Sequence, residues 1–108
     1  YENDTPFEFL IQSPDNPDLY AAFARRWPIR KFPLLVDGDR QVMEATSIIE
    51  YLDVHHPGPT RLIPDGADKA VDVRMLDRFF DNYINGPQQR IVYNQLRPEA
   101  HRDPCGSD

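Results

Sequence analysis

The stretch "KFPLLVDGDRQVMEAT", residues 31–46, decides how this chain folds. Two apolar runs, Leu34-Leu35-Val36 and Gln41-Val42-Met43, flank "DGDR". Asp-Gly between apolar runs is a strong hairpin signal, because glycine accepts the positive φ that tight loops need. Two antiparallel strands are expected to meet at Asp37-Gly38-Asp39. Two residues sit awkwardly in this picture. Pro33 has no N–H to give to a ladder, which confines it to a strand start or an edge. Glu44 puts a charge between apolar Met43 and the start of a helix.

The pattern extends downstream. In "EATSIIEYLDVHH", Ala45, Ile48, Ile49 and Leu52 follow the i, i+3, i+4, i+7 rule of an amphipathic helix. Ala45 or Thr46 opens it and "HPGP" (56–59) stops it. "TRLIPDG" reads as a loop with an apolar plug, Leu62-Ile63. "ADKAVDVRMLDRFFDNYI" reads as a long helix with Val71, Met75, Leu76, Phe79, Phe80, Tyr83 and Ile84 on one broad face. Asp65 or Asp68 suits the positive end of its dipole. Gly86-Pro87 is expected to kink or interrupt it, with "QQRIVYNQLRP" as a continuation. The tail "EAHRDPCGSD" reads as disordered.

Upstream, "PFEFLIQ" (6–12) reads as a short strand. "SPDNPDL" has cap chemistry, with Asn16 or Asp15 as cap and Pro17 at the first helical position. Leu19, Tyr20, Phe23 and Trp27 then mark an amphipathic helix that Pro28 ends. The order strand, helix, hairpin, helix, long helix implies an α/β or α+β layer.

Composition narrows the function classes. The 108 residues leave room for one complete domain at most. The net charge of −6 and the lack of a basic run argue against nucleic-acid binding. The densest basic spots are Arg25-Arg26 and Arg30-Lys31. A single cysteine, Cys105, excludes an internal disulfide and a Cys-based zinc site, and fits a reducing compartment. No apolar run is long enough to span a membrane, and no signal peptide is visible. The chain begins at Tyr1, and "YENDTPFEF" reads as mid-protein sequence, so a preceding segment is expected.

The segment "PIRKFPLLVDGD" resembles the glutathione S-transferase pattern in which Pro-x-Gly-Lys-Val-Pro precedes a strand and an Asp-Gly turn. "VMEATSIIEYLD" is similar to the next block of that family, where Glu-Ser opens a helix ending in Ile-x-Glu-Tyr-Leu. "RFFDNYI" is similar to the start of the family's all-helical second domain. The resemblance spans roughly residues 6–97. It implies a fold class of α/β: an incomplete thioredoxin-like domain over 1–64, lacking its first strand and most of its first helix. The start of an all-helical domain follows over 65–108. Three positions depart from the family pattern: Trp27 for Asn, Arg30 for Gly, and Ala45 for Ser.

The same resemblance implies a glutathione site. The family's proline is cis and turns the backbone of the preceding residue, here Phe32, toward the cysteinyl backbone of the tripeptide, a short β-augmentation. Read from the residues alone, Pro33 is equally an ordinary edge-strand proline. The helix N-terminus at Ala45 and Thr46 offers amides to the γ-glutamyl carboxylate, and Glu44 an acceptor to its ammonium group. On its own, Glu44 reads as a first-turn acid stabilising its helix. Lys31, with Arg30 beside it, suits the glycyl carboxylate, or is a solvated surface charge.

The binding set implied is thus Lys31, Phe32, Pro33, Glu44, Ala45 and Thr46. The residue that would activate the thiol is expected upstream of Tyr1, so the chain alone is expected to be inactive. His55 and His56 point roughly 100° apart on a helix and are not expected to hold a metal. The resemblance implies glutathione as co-substrate, a small electrophile as the other, a homodimer, and a cytoplasmic setting. Two other readings stay open. One is a non-catalytic stress-response or regulatory protein of the same fold, which the changes at 30 and 45 favour. The other is a glutaredoxin-like oxidoreductase, which needs an upstream cysteine.

Overall fold

The computed structural model describes residues 1–104. These fall into two compact units, Tyr1–Ile63 and the chain from Pro64 onward. The first unit contains α1 (Pro17–Arg26), β1 (Leu34–Asp37), β2 (Arg40–Met43) and α2 (Ala45–His55). The second contains α3 (Ala67–Phe79), a π-helical segment (Phe80–Asn85), α4 (Gly86–Leu96) and a short 3-10 turn (Glu99–His101).

The hairpin forms where the sequence places it. Leu34 pairs with Met43, Leu35 with Val42, Val36 with Gln41 and Asp37 with Arg40, antiparallel. The loop is the dipeptide Gly38-Asp39, with Gly38 at φ +57. Glycine at the first central position, with positive φ there, is the type II′ requirement. The helix α2 starts at Ala45 and packs against both strands. This is an incomplete thioredoxin-like domain followed by a long helix, the architecture expected.

The α1 helix uses Pro17 at its first turn, where no N–H is needed. Asn16 is the cap residue but makes no side-chain capping bond. Phe23 is the buried residue of α1, and its ring stacks on Phe32 with centroids 4.9 Å apart. Burying a side chain of this size contributes roughly 1.5–3 kcal/mol. Here it also ties the loop before β1 to α1.

Two element-level expectations are corrected and a third is sharpened. Residues 6–12 carry no strand, and the sheet among the described residues has two members. A strand exists only where a neighbour takes its N–H and C=O groups, and no described segment pairs with this run. Phe7, Phe9, Leu10 and Ile11 are accordingly exposed.

Gly86-Pro87 interrupts the α-helical hydrogen bonding, as expected, but through a π segment and without ending the long helix. Phe80, Asn85 and Gly86 all keep right-handed helical dihedrals, and the Gly86 N–H reaches back five residues to the Asp81 carbonyl. Pro87 has no N–H for the usual i−4 bond, and its ring crowds that carbonyl. The wider π turn just before it absorbs the mismatch.

The tail is ordered at least to Asp103. Buried Asn94 donates to the Asp103 carbonyl at 2.7 Å and accepts from its N–H at 2.9 Å. A two-point amide clasp of this kind holds a segment whose composition alone reads as disordered. Cys105 lies outside the described residues.

The broad apolar face of the second unit is largely uncovered: Val71, Met75, Phe79 and Tyr83 are all exposed. With Arg74 and Arg78 they line an open groove along α3 and the π segment.

Candidate functional site at the hairpin and the start of α2

The hairpin register sets the geometry. Leu34 and Met43 form its last pair, so Pro33 and Glu44 are the next residues outward at the same end of the sheet. The Phe32–Pro33 bond is cis. Phe32 is exposed over much of its surface while one ring face rests on Phe23. A turn closed by the Arg30 N–H to the Trp27 carbonyl leads into this segment. Lys31 is exposed just before it.

Two backbone positions here lie at positive φ without being glycine. Arg30 has φ +60 and Glu44 has φ +69 with ψ +126. Such conformations cost on the order of 1–3 kcal/mol and persist only where the surroundings enforce them. Arg30 stands at the position where the resembled family places glycine, and its dihedral supplies the reason: glycine adopts that φ freely.

Glu44 is the residue just before α2, and the first helical bond runs from the Ile48 N–H to its carbonyl. Its side chain makes no capping bond and is exposed. The helix therefore starts with its first-turn amides and positive dipole end directed past Glu44. Ala45 is exposed and Thr46 half-buried. The structure gathers Pro33, Glu44, Ala45 and Thr46 at one end of the hairpin, with Phe32 and Lys31 on the approach to it.

Sequence reasoning missed two carboxylates that hold this frame. Asp53, on α2, is 4% exposed. It accepts from the backbone N–H groups of Leu62 and Ile63, both at 3.1 Å, and Arg61 lies 3.3 Å away. The Leu62 N–H leads the groups that lower its carboxyl below the ordinary range, against the opposing effect of burial. The signal was available: Asp53 lies four residues after Ile49, at the edge of the apolar stripe, where a charge needs partners.

The other is Asp37, which accepts from Tyr51 at 2.8 Å and from His56 at 2.7 Å. The His56 bond, then the Tyr51 bond, lowers the Asp37 carboxyl. The same contact raises the Tyr51 hydroxyl. His55 is the last residue of α2, and His56 after it leaves helical dihedrals: the His55 ring packs on Tyr51 at 4.3 Å while His56 reaches Asp37. Among the described residues no group of three or more His, Cys, Asp or Glu is arranged to hold a metal ion. No described helix is long and apolar enough to cross a membrane.

Comparison with known proteins gives the family. The family described as "Glutathione S-transferase, N-terminal domain" matches residues 1–60. The chain belongs to the glutathione S-transferase family. A curated relative, a probable maleylacetoacetate isomerase of Vibrio cholerae serotype O1, is 39% identical over 57 residues. That match covers 53% of this glutathione S-transferase family chain and 26% of the relative, so the chain spans about a quarter of that protein's length. No solved structure matches the chain significantly.

Proposed function

We propose that this chain carries the glutathione-binding part of a glutathione S-transferase-like enzyme. In its complete form that enzyme transfers glutathione to an electrophilic substrate. The observation that carries the reading is the register: it brings the strand start at Pro33 and the helix start at Glu44 to one end of the hairpin. An extended tripeptide laid there meets four kinds of group. The Phe32 backbone offers strand-like hydrogen bonds to its middle. The α2 amides at Ala45 and Thr46 meet its γ-glutamyl carboxylate, and Glu44 accepts from its ammonium group. Lys31 faces the glycyl carboxylate. The positive φ of Glu44 supports this reading, because strained backbone concentrates where a side chain must be aimed.

In this reading residues 1–64 bind glutathione and 65–108 begin the helical domain. The uncovered apolar face of α3 and the π segment then belongs to a homodimer contact and to one wall of the electrophile pocket. The setting proposed is cytoplasmic. No described residue is assigned the role of activating the thiol.

A second reading has its own observation. The relative is named as a maleylacetoacetate isomerase, and its similarity favours an isomerisation as the reaction the complete protein performs. Both readings use the same glutathione site. The non-catalytic reading of the fold draws support from Ala45 and Arg30.

The test is retention on immobilised glutathione with elution by free glutathione, for the wild type beside Glu44→Ala. The wild type is expected to bind and elute, and Glu44→Ala to flow through. Failure of the wild type to bind overturns the proposal in favour of the non-catalytic reading. Equal retention of both proteins moves the site elsewhere.

A further inference from the structure

Asp37 closes β1, and one of its oxygens is held from two places at the far end of α2. The Tyr51 hydroxyl donates to Oδ2 at 2.8 Å, and His56 Nε2 lies 2.7 Å from the same oxygen. Every packed element brings a charged or titratable group to this point. From β2 comes Arg40, opposite Asp37 in the ladder and 5.2 Å over the Tyr51 ring. From α2 come Tyr51 and His55, and from the residue just after it His56. Asp37 is about as exposed as His56, 39% against 38% for the side chains, so protons reach both.

Histidine is the side chain whose charge changes in the range of about pH 5–8. A protonated imidazole turns a neutral donor into a charged one, and such bonds are roughly twice as strong. The α2 helix is joined to the hairpin in two places: at its start through Glu44, and at its end through Asp37. We propose that Asp37, Tyr51 and His56 form a proton-responsive clasp that fastens the end of α2 to the hairpin and so steadies the setting of Glu44 at the helix start. The link to Glu44 rests on the glutathione reading; the clasp itself does not. Asp37 is a positioning residue in this scheme and touches no ligand. The His56 bond, then the Tyr51 bond, lowers the Asp37 carboxyl, so the acceptor stays charged at both pH values of the test below.

The experiment is the thermal unfolding midpoint at about pH 8 and about pH 6 for the wild type, Asp37→Asn, His56→Gln and the double variant. Exposed acids and the remaining histidines contribute equally to all four, so the differences isolate the pair. The wild type is expected to gain more on acidification than either single variant, and the double variant to behave as the singles do. An equal pH response in all four overturns the clasp. Should Asp37→Asn fail to fold, Tyr51→Phe decides. It is expected to lower the midpoint at both pH values while keeping the His56-dependent response, and loss of that response overturns the assignment.

Affinity for S-methylglutathione, whose sulfur does not titrate, is read in parallel. Weaker binding by Asp37→Asn at the lower pH supports the link to Glu44, and unchanged binding overturns it. No binding by the wild type defeats the glutathione reading, while the clasp still stands or falls on the midpoints.

Discussion

Leu34 lies opposite Met43, and that pair puts cis-linked Pro33 and positive-φ Glu44 at the same end of one hairpin. They lie eleven positions apart in sequence, yet two strands of four residues each suffice to bring them together. Everything proposed about the site depends on this arrangement.

Glu44 is expected to trade stability for binding. Glycine adopts its φ without strain, whereas alanine does not, so Glu44→Gly should be more stable than Glu44→Ala by about 1–3 kcal/mol. Both should lose affinity for glutathione equally, by roughly tenfold to a hundredfold, the worth of a hydrogen bond to a charged group. Chemical denaturation and calorimetric titration on the two variants check this together.

The Tyr51–Asp37 bond should be visible in the pH dependence of stability. Tyr51 is raised above its ordinary value of 10.0 in the folded protein. Its contribution is therefore fully present below that value and lost as pH rises through the raised one. Asp37 is lowered from 3.8, so its contribution is present above that value and lost as pH falls through the lowered one. Tyr51→Phe should flatten the alkaline arm of the stability profile, and Asp37→Asn both arms. Denaturation midpoints across the pH range measure this.

How much of this was legible beforehand follows from distance along the chain. The hairpin was legible because its signal, apolar runs around Asp-Gly, is local. So was α2, through the spacing of Ile48, Ile49 and Leu52. The Asp37 contacts were not, since they join residues 14 and 19 apart that meet only after α2 packs on the sheet. Nor was the π turn before Pro87: composition announces the proline's conflict with a helix but not how the backbone resolves it. Residues 6–12 show the converse. Their local pattern is a strand's, but a strand also needs a partner.

Asp53 should matter more than its place on a polar-looking segment implies. Asn in its place has one acceptor oxygen for two amides, and its NH2 would face the other N–H. Asp53→Asn is expected to speed hydrogen exchange at the Leu62 and Ile63 amides and to lower the unfolding midpoint. The wild-type contribution should vanish in acid, as pH falls through the lowered Asp53 value below 3.8. Native-state hydrogen exchange read by NMR checks both statements.

Gly58 is packed directly against the Asn3 side chain, with no space for a Cβ. Asn3 meanwhile bonds both the carbonyl and the N–H of Thr60, each at 2.9 Å. Gly58→Ala is therefore expected to displace Asn3 and cost about 1–3 kcal/mol. Asn3→Ala should lose the same clasp without the clash. Combining the two should cost less than their sum, which a double-mutant cycle in urea measures.

The central claim is that glutathione lies across the start of β1 and the start of α2. The most direct measurement is an amide NMR titration of the isotopically labelled protein with S-methylglutathione. The largest shifts are expected at Phe32, Glu44, Ala45 and Thr46, with the hairpin loop at Gly38 and Asp39 nearly still. Shifts centred on other residues, or none at saturating ligand, would contradict it.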